Sequence, residues 1–384
     1  LRPYEIRIEQ SAIDSLRDRL TRAEWPGDFA NDDWRYGVPE PYLHELISYW
    51  SESYDWRAHE AEMNRYEHFV TRIDDIPIHF MRIRGEGPDP KPLILSHGWP
   101  WTFWDFRDVI GRLTNPVAYG APPSQSFDLI IPSLPGFGFS SPLRTPGVTF
   151  HRTADLWHRL MTETLGYERY CAHGGDWGAL VTAVIGHKYP EHLFGVHESL
   201  PGFLGLDYRA LKREDFGVTE EGWYDHAKAM EAKTASHLAV HSLDPQTLAY
   251  ALSDSPIGLA AWILERRRAW SDCDGNVERC FSKDDLLTTI SLYWFTGTIG
   301  TSIRFYWENA RNPWQPSSER EPAVTAPSAF AIFPKDVLLV PRRIARQYAN
   351  VERWTVMPAG GHFAAAEQPE LLADDIRSFF SDLN

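Results

Sequence analysis

The residues best placed to do chemistry lie in Gly174-Gly175-Asp176-Trp177-Gly178, between the apolar run Arg169-Tyr170-Cys171-Ala172-His173 and the helix-like run Ala179 to Ile185. Small residues on both sides of Asp176 permit a strained turn from strand to helix, and such a turn lifts one side chain clear of the backbone. The lifted group here is a carboxylate, where this kind of turn more often carries a serine. A carboxylate attacking an alkyl carbon gives an ester, which water cleaves at the carboxyl carbon to restore the protein. A serine attacking the same carbon would leave a stable ether. Aspartate therefore points away from amide and ester substrates and toward an electrophilic alkyl carbon. The competing reading is an ordinary Gly-Gly-Asp turn with a helix N-cap, and the pentapeptide alone does not separate the two.

Cleaving such an ester requires a base. Ala359-Gly360-Gly361-His362-Phe363 follows the last strand-like run and precedes the last helical one, which puts His362 at the same sheet edge as Asp176. Asp336, in Phe333-Pro334-Lys335-Asp336, is the first carboxylate beyond the preceding strand, with none after it until Glu352. The chain order Asp176, Asp336, His362 matches the nucleophile, acid, histidine order of α/β-hydrolases. A turn or N-cap aspartate is the competing reading of Asp336. His97-Gly98-Trp99-Pro100 follows the first parallel strand, where that fold supplies one oxyanion amide, so the backbone N–H groups of Trp99 and Trp177 are expected to hold developing negative charge. His97 reads as an orienter of its own loop and His173 as a core histidine. The Gly-rich run Pro132 to Ser140 opens no helix, as a phosphate loop should, and reads as lining of the substrate site through Phe137, with no nucleotide.

These residues need a scaffold that gathers distant segments at one edge. From Pro92 strand and helix alternate: Leu93 to Ser96, a helix from about Thr102 to Leu113, Phe127 to Ile131, a helix from about Thr153 to Leu165, the strand into the turn, its helix, and Leu193 to His197. Short continuous apolar strands between helices imply a parallel sheet covered on both faces. From about Pro201 to Ser317 helical runs such as Ile257 to Leu264 and Leu286 to Tyr293 replace the strands, and a Pro-rich stretch, Asn312 to Pro327, closes the block. Strand, helix, strand and helix resume at Ala329 to Phe333, Arg342 to Tyr348, Val351 to Val356 and Glu370 to Phe380. Ligands in such sheets bind beyond the carboxyl ends of the strands, so the inserted block is a cap over that site. Ahead of the sheet, helical runs at 11–24 and Pro41 to Tyr49 bury too little to stand alone and read as an arm. Phe69 to Ile73 and Ile76 to Ile83 flank Asp74-Asp75 as a hairpin. The fold class is α/β: an α/β-hydrolase fold with a mostly parallel doubly wound sheet, a helical cap domain and an N-terminal helical arm. The expected division is 1–85 for the arm and hairpin, 86–200 and 318–384 for the two parts of the core, and 201–317 for the cap.

Composition narrows the function. A length of 384 residues fits two or three domains or one core with a large insertion, and a net charge of -15 argues against nucleic acid or an anionic membrane as partner. The three cysteines, Cys171, Cys273 and Cys280, form neither an even framework nor a metal-like spacing, so no metal and a reducing compartment are expected. No run has the length of a membrane-spanning helix and the first residues lack a signal-peptide core, which makes a cytoplasmic location the expectation. The 16 tryptophans point to an aromatic-lined pocket or to core filling.

The chain resembles the microsomal-type epoxide hydrolases. The likeness runs from Trp25-Pro26 and Tyr54-Asp55-Trp56-Arg57 through His97-Gly98-Trp99-Pro100 and the Asp176 turn to Gly360-Gly361-His362-Phe363-Ala364-Ala365, with Ala251 to Pro256 and Tyr293 to Thr298 in the cap. The resemblance implies Asp176 as nucleophile, His362 as base, Asp336 as its acid partner, and two cap tyrosines that protonate the epoxide oxygen. Tyr306, in Arg304-Phe305-Tyr306-Trp307, matches one of them. His237 stands at the other position, counted back from Pro245, where it either donates a hydrogen bond as a neutral or protonated ring or only shapes the pocket while Tyr306 acts alone; His237, Trp99 and Phe137 are the expected substrate-binding residues. The implied reaction turns an epoxide, bulky or aryl by the aromatic cap, into a vicinal diol. The implied partners are the epoxide and water, with no cofactor, no nucleic acid and no membrane anchor; a homodimer is the assembly to test. A haloalkane-type dehalogenase shares the aspartate turn, and a non-catalytic relative would be a binding protein. Tyr306 and the arm weigh against the first, the complete triad against the second.

Overall fold

Continuous apolar runs become the central strands because strands covered on both faces must be apolar throughout. The computed structural model describes residues 1–383. Strands β1 (Arg2–Tyr4), β2 (Glu67–Ile73), β3 (Ile76–Ile83), β4 (Lys91–Ser96), β5 (Phe127–Pro132), β6 (Tyr170–Gly174), β7 (Leu193–Glu198), β8 (Val324–Ile332) and β9 (Ala349–Val356) form one sheet. Its order is β1-β2-β3-β5-β4-β6-β7-β8-β9. Pairings from β5 across to β9 are parallel, whereas β1, β2 and β3 add an antiparallel edge. Every residue of β5 and β6 is buried. The chain leaves β4 for β5 on one side and returns to β6 on the other, so the strand order reverses at β4 and a crevice opens beyond the ends of β4 and β6. Ser96 and Gly174 are in register there.

Helices α1 (Gln10–Thr21), α2 (Glu40–Glu52) and α3 (Trp56–Met63) form the arm. Helices α4 (Arg107–Thr114), α5 (Phe150–Arg159) and α6 (Trp177–Lys188) connect the strands, and α7 (Trp223–Leu243), α8 (Pro245–Asp254), α9 (Pro256–Trp270), α10 (Lys283–Thr296) and α11 (Ile299–Arg311) lie between β7 and β8 as the cap. Helices α12 (Arg342–Tyr348), α13 (Ala364–Glu367) and α14 (Pro369–Ser381) complete the chain. Among the described residues no helix is long and apolar enough to cross a membrane.

Three elements differ from the sequence reading. Strand β1 is too short to carry a periodic signal and exists because β2 offers it an edge. Helix α3 is also short, and it starts at a side-chain cap, where the Asp55 carboxylate accepts from Arg57 N–H. Strand β8 begins at Val324 rather than Ala329, and its pairing with β9 shifts register between Val324 and Pro327, because a proline gives no donor to the ladder.

The arm is packed onto the cap rather than onto the sheet alone. Trp50 Nε1 donates to Ser291 Oγ at 3.1 Å, and the Tyr54 and Thr288 hydroxyls meet at 3.0 Å. Cap and core are joined by a buried ion pair, Arg267 to Asp105 at 2.6 Å, with both side chains at most 5% exposed. The same guanidinium donates to Pro100 O at 3.0 Å and lies over the Phe363 ring. Removing one partner of such a pair leaves an uncompensated buried charge, a loss of about 3–5 kcal/mol. Arg267→Ala should lower the unfolding free energy by that order in a urea titration, and a change below about 1 kcal/mol would show that the pair does not hold the cap.

Candidate active site

Asp176 sits at φ 52°, ψ -128°, a conformation that few non-glycine residues adopt, between the end of β6 and the start of α6. Neighbouring glycines make the turn possible. A Cβ on Gly174 would lie 2.0 Å from Gly178 O, and one on Gly178 would lie 2.0 Å from Ser96 O. A Cβ on Gly98 would lie 2.1 Å from Asp176 Oδ1, so the loop after β4 touches the carboxylate itself.

That carboxylate is held at both oxygens. Trp99 N–H donates to Oδ1 at 2.7 Å, and His362 Nε2 lies 3.2 Å from Oδ2. On the far side of the ring His362 Nδ1 lies 2.7 Å from Asp336 Oδ1, which also accepts Val337 N–H. The structure thus brings Asp176, His362 and Asp336 into one chain of hydrogen bonds. Burial disfavours the charged imidazole, but the charges and hydrogen bonds of Asp336 and Asp176 outweigh it and raise His362 to about 10. The setting between Asp336 and Asp176 thus favours the protonated imidazole.

Trp177 opens α6, so its backbone N–H has no partner inside the helix. Its indole packs edge-on against Tyr306 at 4.9 Å. His97 holds the loop after β4: its Nδ1 lies 2.9 Å from Gly98 O, and its Nε2 accepts Leu134 N–H at 3.0 Å. Burial lowers His97 to about 4, which keeps it neutral. His173 is buried in the core and contacts His197 Nδ1 at 3.0 Å.

A cavity of about 810 Å³ opens over Asp176 and is lined by His362, Trp177, Trp270, Tyr306 and His237, with Leu and Phe side chains from the cap. Tyr306 and His237 lie together, 5.5 Å between ring centroids. Burial, reinforced by the Asp176 charge, holds the Tyr306 phenol well above its ordinary value. Burial also pushes His237 well below its ordinary value, with His241 and Arg266 adding to it, which favours the neutral ring over the protonated one.

Two expected lining residues are elsewhere. Phe137 is 1% exposed, is not among the residues that line the cavity, and packs against His97, Tyr293 and Phe305. The Trp99 ring is wholly buried behind His237 and Tyr306, so only its backbone N–H serves the site. Sequence reading missed His241 and Trp270. His241 sits one helical turn after His237 on α7 and packs 4.8 Å from Tyr306; that spacing was the available signal. Trp270 lines the cavity, and its carbonyl accepts His362 N–H at 2.9 Å, a backbone role that leaves no trace in residue type. Among the described residues no group of three or more His, Cys, Asp or Glu side chains could hold a metal ion.

Residues 1–106 match the family described as epoxide hydrolase N terminus, and residues 91–197 match the α/β hydrolase fold. The chain is 36% identical over 405 residues to epoxide hydrolase 1 of Sus scrofa, covering 99% of this chain and 88% of that protein. The chain belongs to the epoxide hydrolase family. Solved members superpose on it closely. The juvenile hormone epoxide hydrolase of Bombyx mori has a TM-score of 0.88 at 27% identity, covering 99% of this chain and 94% of that one. The Aspergillus niger epoxide hydrolase has a TM-score of 0.86 at 26% identity, covering 100% and 96%.

The contact between Gly98 and Asp176 gives a direct test of this epoxide hydrolase site. Gly98→Ala should displace the carboxylate and lower kcat/KM on a simple aryl epoxide by about 100-fold, since misplacement near 1 Å has that cost. A variant with the parent rate would show that the loop does not set the position of Asp176.

Proposed function

We propose that this epoxide hydrolase opens a bulky apolar or aryl epoxide through an ester on Asp176. The observation that carries the reading is the Asp176 carboxylate, held by Trp99 N–H and His362, in the same cavity as Tyr306. The Leu and Phe side chains over the cavity, among them Leu206, Leu211, Phe216 and Leu338, support an apolar substrate.

In the first step Asp176 Oδ2 attacks an epoxide carbon, the carbon–oxygen bond of the ring breaks, and the Tyr306 phenol gives its proton to the leaving alkoxide. Burial favours a Tyr306 that keeps its proton until that alkoxide forms. Ester formation removes the Asp176 charge. Two of the influences that raise His362 come from that carboxylate, so without them the desolvation of the ring counts for more and its proton is released more readily. The proton returns to the Tyr306 phenolate, leaving a neutral imidazole. Water then attacks the ester carbon and gives a proton to His362 Nε2, while Oδ1 takes the negative charge against the N–H groups of Trp99 and Trp177. Collapse breaks the bond from the carboxyl carbon to the diol oxygen, which takes the remaining proton. Asp176, His362 and Tyr306 end as they began, with one water consumed. A reducing cytoplasmic compartment is part of the same proposal, supported by the unpaired Cys171, Cys273 and Cys280.

Turnover in heavy-oxygen water should place label in the Asp176 carboxylate, read by mass spectrometry of the peptide that contains it. His362→Gln should trap the ester and stop after one turnover; an unlabelled Asp176 in the parent protein would sink the ester route. Halide release from an alkyl halide at a comparable rate would favour a dehalogenase instead.

The two donors separate in single-turnover kinetics. Tyr306→Phe should slow ester formation by about 100-fold or more, within the range for a positioned acid. His237→Ala should slow it less and leave the profile between about pH 6 and 9 unchanged, because a buried neutral ring does not titrate there. A shifted acidic limb in that variant would assign His237 a proton of its own.

A further inference from the structure

The backbone that carries His362 is fixed at every amide from Gly360 to Phe363. Gly360 N–H donates to Asp272 Oδ2 at 2.9 Å and His362 N–H to Trp270 O at 2.9 Å. The amides on either side of His362 go to one carboxylate: Gly361 N–H to Glu367 Oε2 at 3.0 Å and Phe363 N–H to Glu367 Oε1 at 2.9 Å. Glu367 Oε2 also accepts Asp272 N–H at 2.7 Å, so this carboxylate joins the base loop to the cap segment that follows α9. None of these contacts reaches the Asp176, His362 and Asp336 chain directly. They set where the imidazole starts.

We propose that Glu367 is a positioning residue for His362, fixing the loop on both sides of the base and locking it to the cap. The inference rests on His362 acting as the base for ester hydrolysis. Its physical basis is the geometry of one acceptor serving three amides, two of them adjacent to the residue that must hold a water within reach of an ester carbon. A neutral amide side chain would fit the volume but not the pattern, since the three amides and the Cys280 thiol, whose Sγ lies 3.9 Å from Oε2, all donate to it. Burial pushes the Glu367 carboxyl up to about 7, and the three amide donors oppose that rise, so they offset only part of the cost of burying its charge. Trp270 and Asp272, at the end of α9 and just after it, thus tie the base loop to the cap through backbone and side-chain hydrogen bonds.

The test is Glu367→Gln, which keeps the volume and turns one of the two oxygens into a donor facing an amide donor. Ester formation and ester hydrolysis are followed separately by rapid quench with mass detection of the Asp176 ester. Ester formation should stay within about threefold of the parent, and hydrolysis should fall by roughly ten- to hundredfold, the range seen when an orienting partner is lost. Because ester then accumulates, kcat and KM should fall together. Should Glu367→Gln fold poorly, Glu367→Asp keeps the charge, shortens the reach, and should show the same split with a smaller hydrolytic loss. An equal loss in both steps, or an unchanged ratio of the two rates in either folded variant, overturns the proposal. Absence of any ester in the parent protein would instead overturn the reading of Asp176 and His362 on which it rests.

Discussion

The backbone at Asp176 is the constraint on which the rest of the molecule depends. A side chain at φ 52° is held there only when its surroundings leave no alternative, and three glycines supply the room. Gly174 and Gly178 admit the close passage of strand and helix, and Gly98 admits the neighbouring loop against the carboxylate itself. The turn directs the carboxylate out of the sheet at the point where β4 and β6 end side by side. Every other group that meets it comes from a different stretch of chain, so the fold's task is to hold those stretches against one fixed oxygen pair.

Charge organises that meeting. His362 lies between the buried Asp336 and the partly exposed Asp176, whose charges and hydrogen bonds raise it, and Asp176 in turn accepts Trp99 N–H. Each group's state depends on the other's. Losing the Asp176 charge would remove two of the influences that raise His362. Across the cavity the opposite rule holds: burial keeps His237 and His241 uncharged, so the donor side presents dipoles where the acceptor side presents charges.

That Asp176, His362 and Asp336 would meet was legible because each lies beyond a strand end marked by Gly or Pro, and the three form one chain of hydrogen bonds. The cap was legible as a helical block but not in detail. Tyr306 and His237 entered through family resemblance, since helices α7 and α11 direct their side chains by packing that no local pattern encodes. Phe137 misled because a Gly-rich loop beside a site can turn its aromatic ring either way, and here the ring packs against His97, Tyr293 and Phe305. Glu367 and Trp270 act on backbone amides and through a backbone carbonyl, and such roles do not depend on a recognisable spacing.

The arm acquires a reason from the same network. Met63 O at the end of α3 can only accept, so His68 Nε2 carries the proton toward it and His68 Nδ1 must accept from His79 Nε2 at 2.9 Å. His79 Nδ1 is then left to accept from Ser133 Oγ at 2.9 Å. Burial lowers both histidines, so the run stays uncharged and each tautomer is set by its neighbour. Leu134, next along the chain, donates its N–H to His97, whose other nitrogen faces Gly98 O beside the Trp99 amide. Two hydrogen-bonded runs, joined by the Ser133-Leu134 peptide, thus link the end of an arm helix to the loop that carries the Trp99 amide. The arm bears on that loop as well as on the cap, where Trp50 and Tyr54 meet α10.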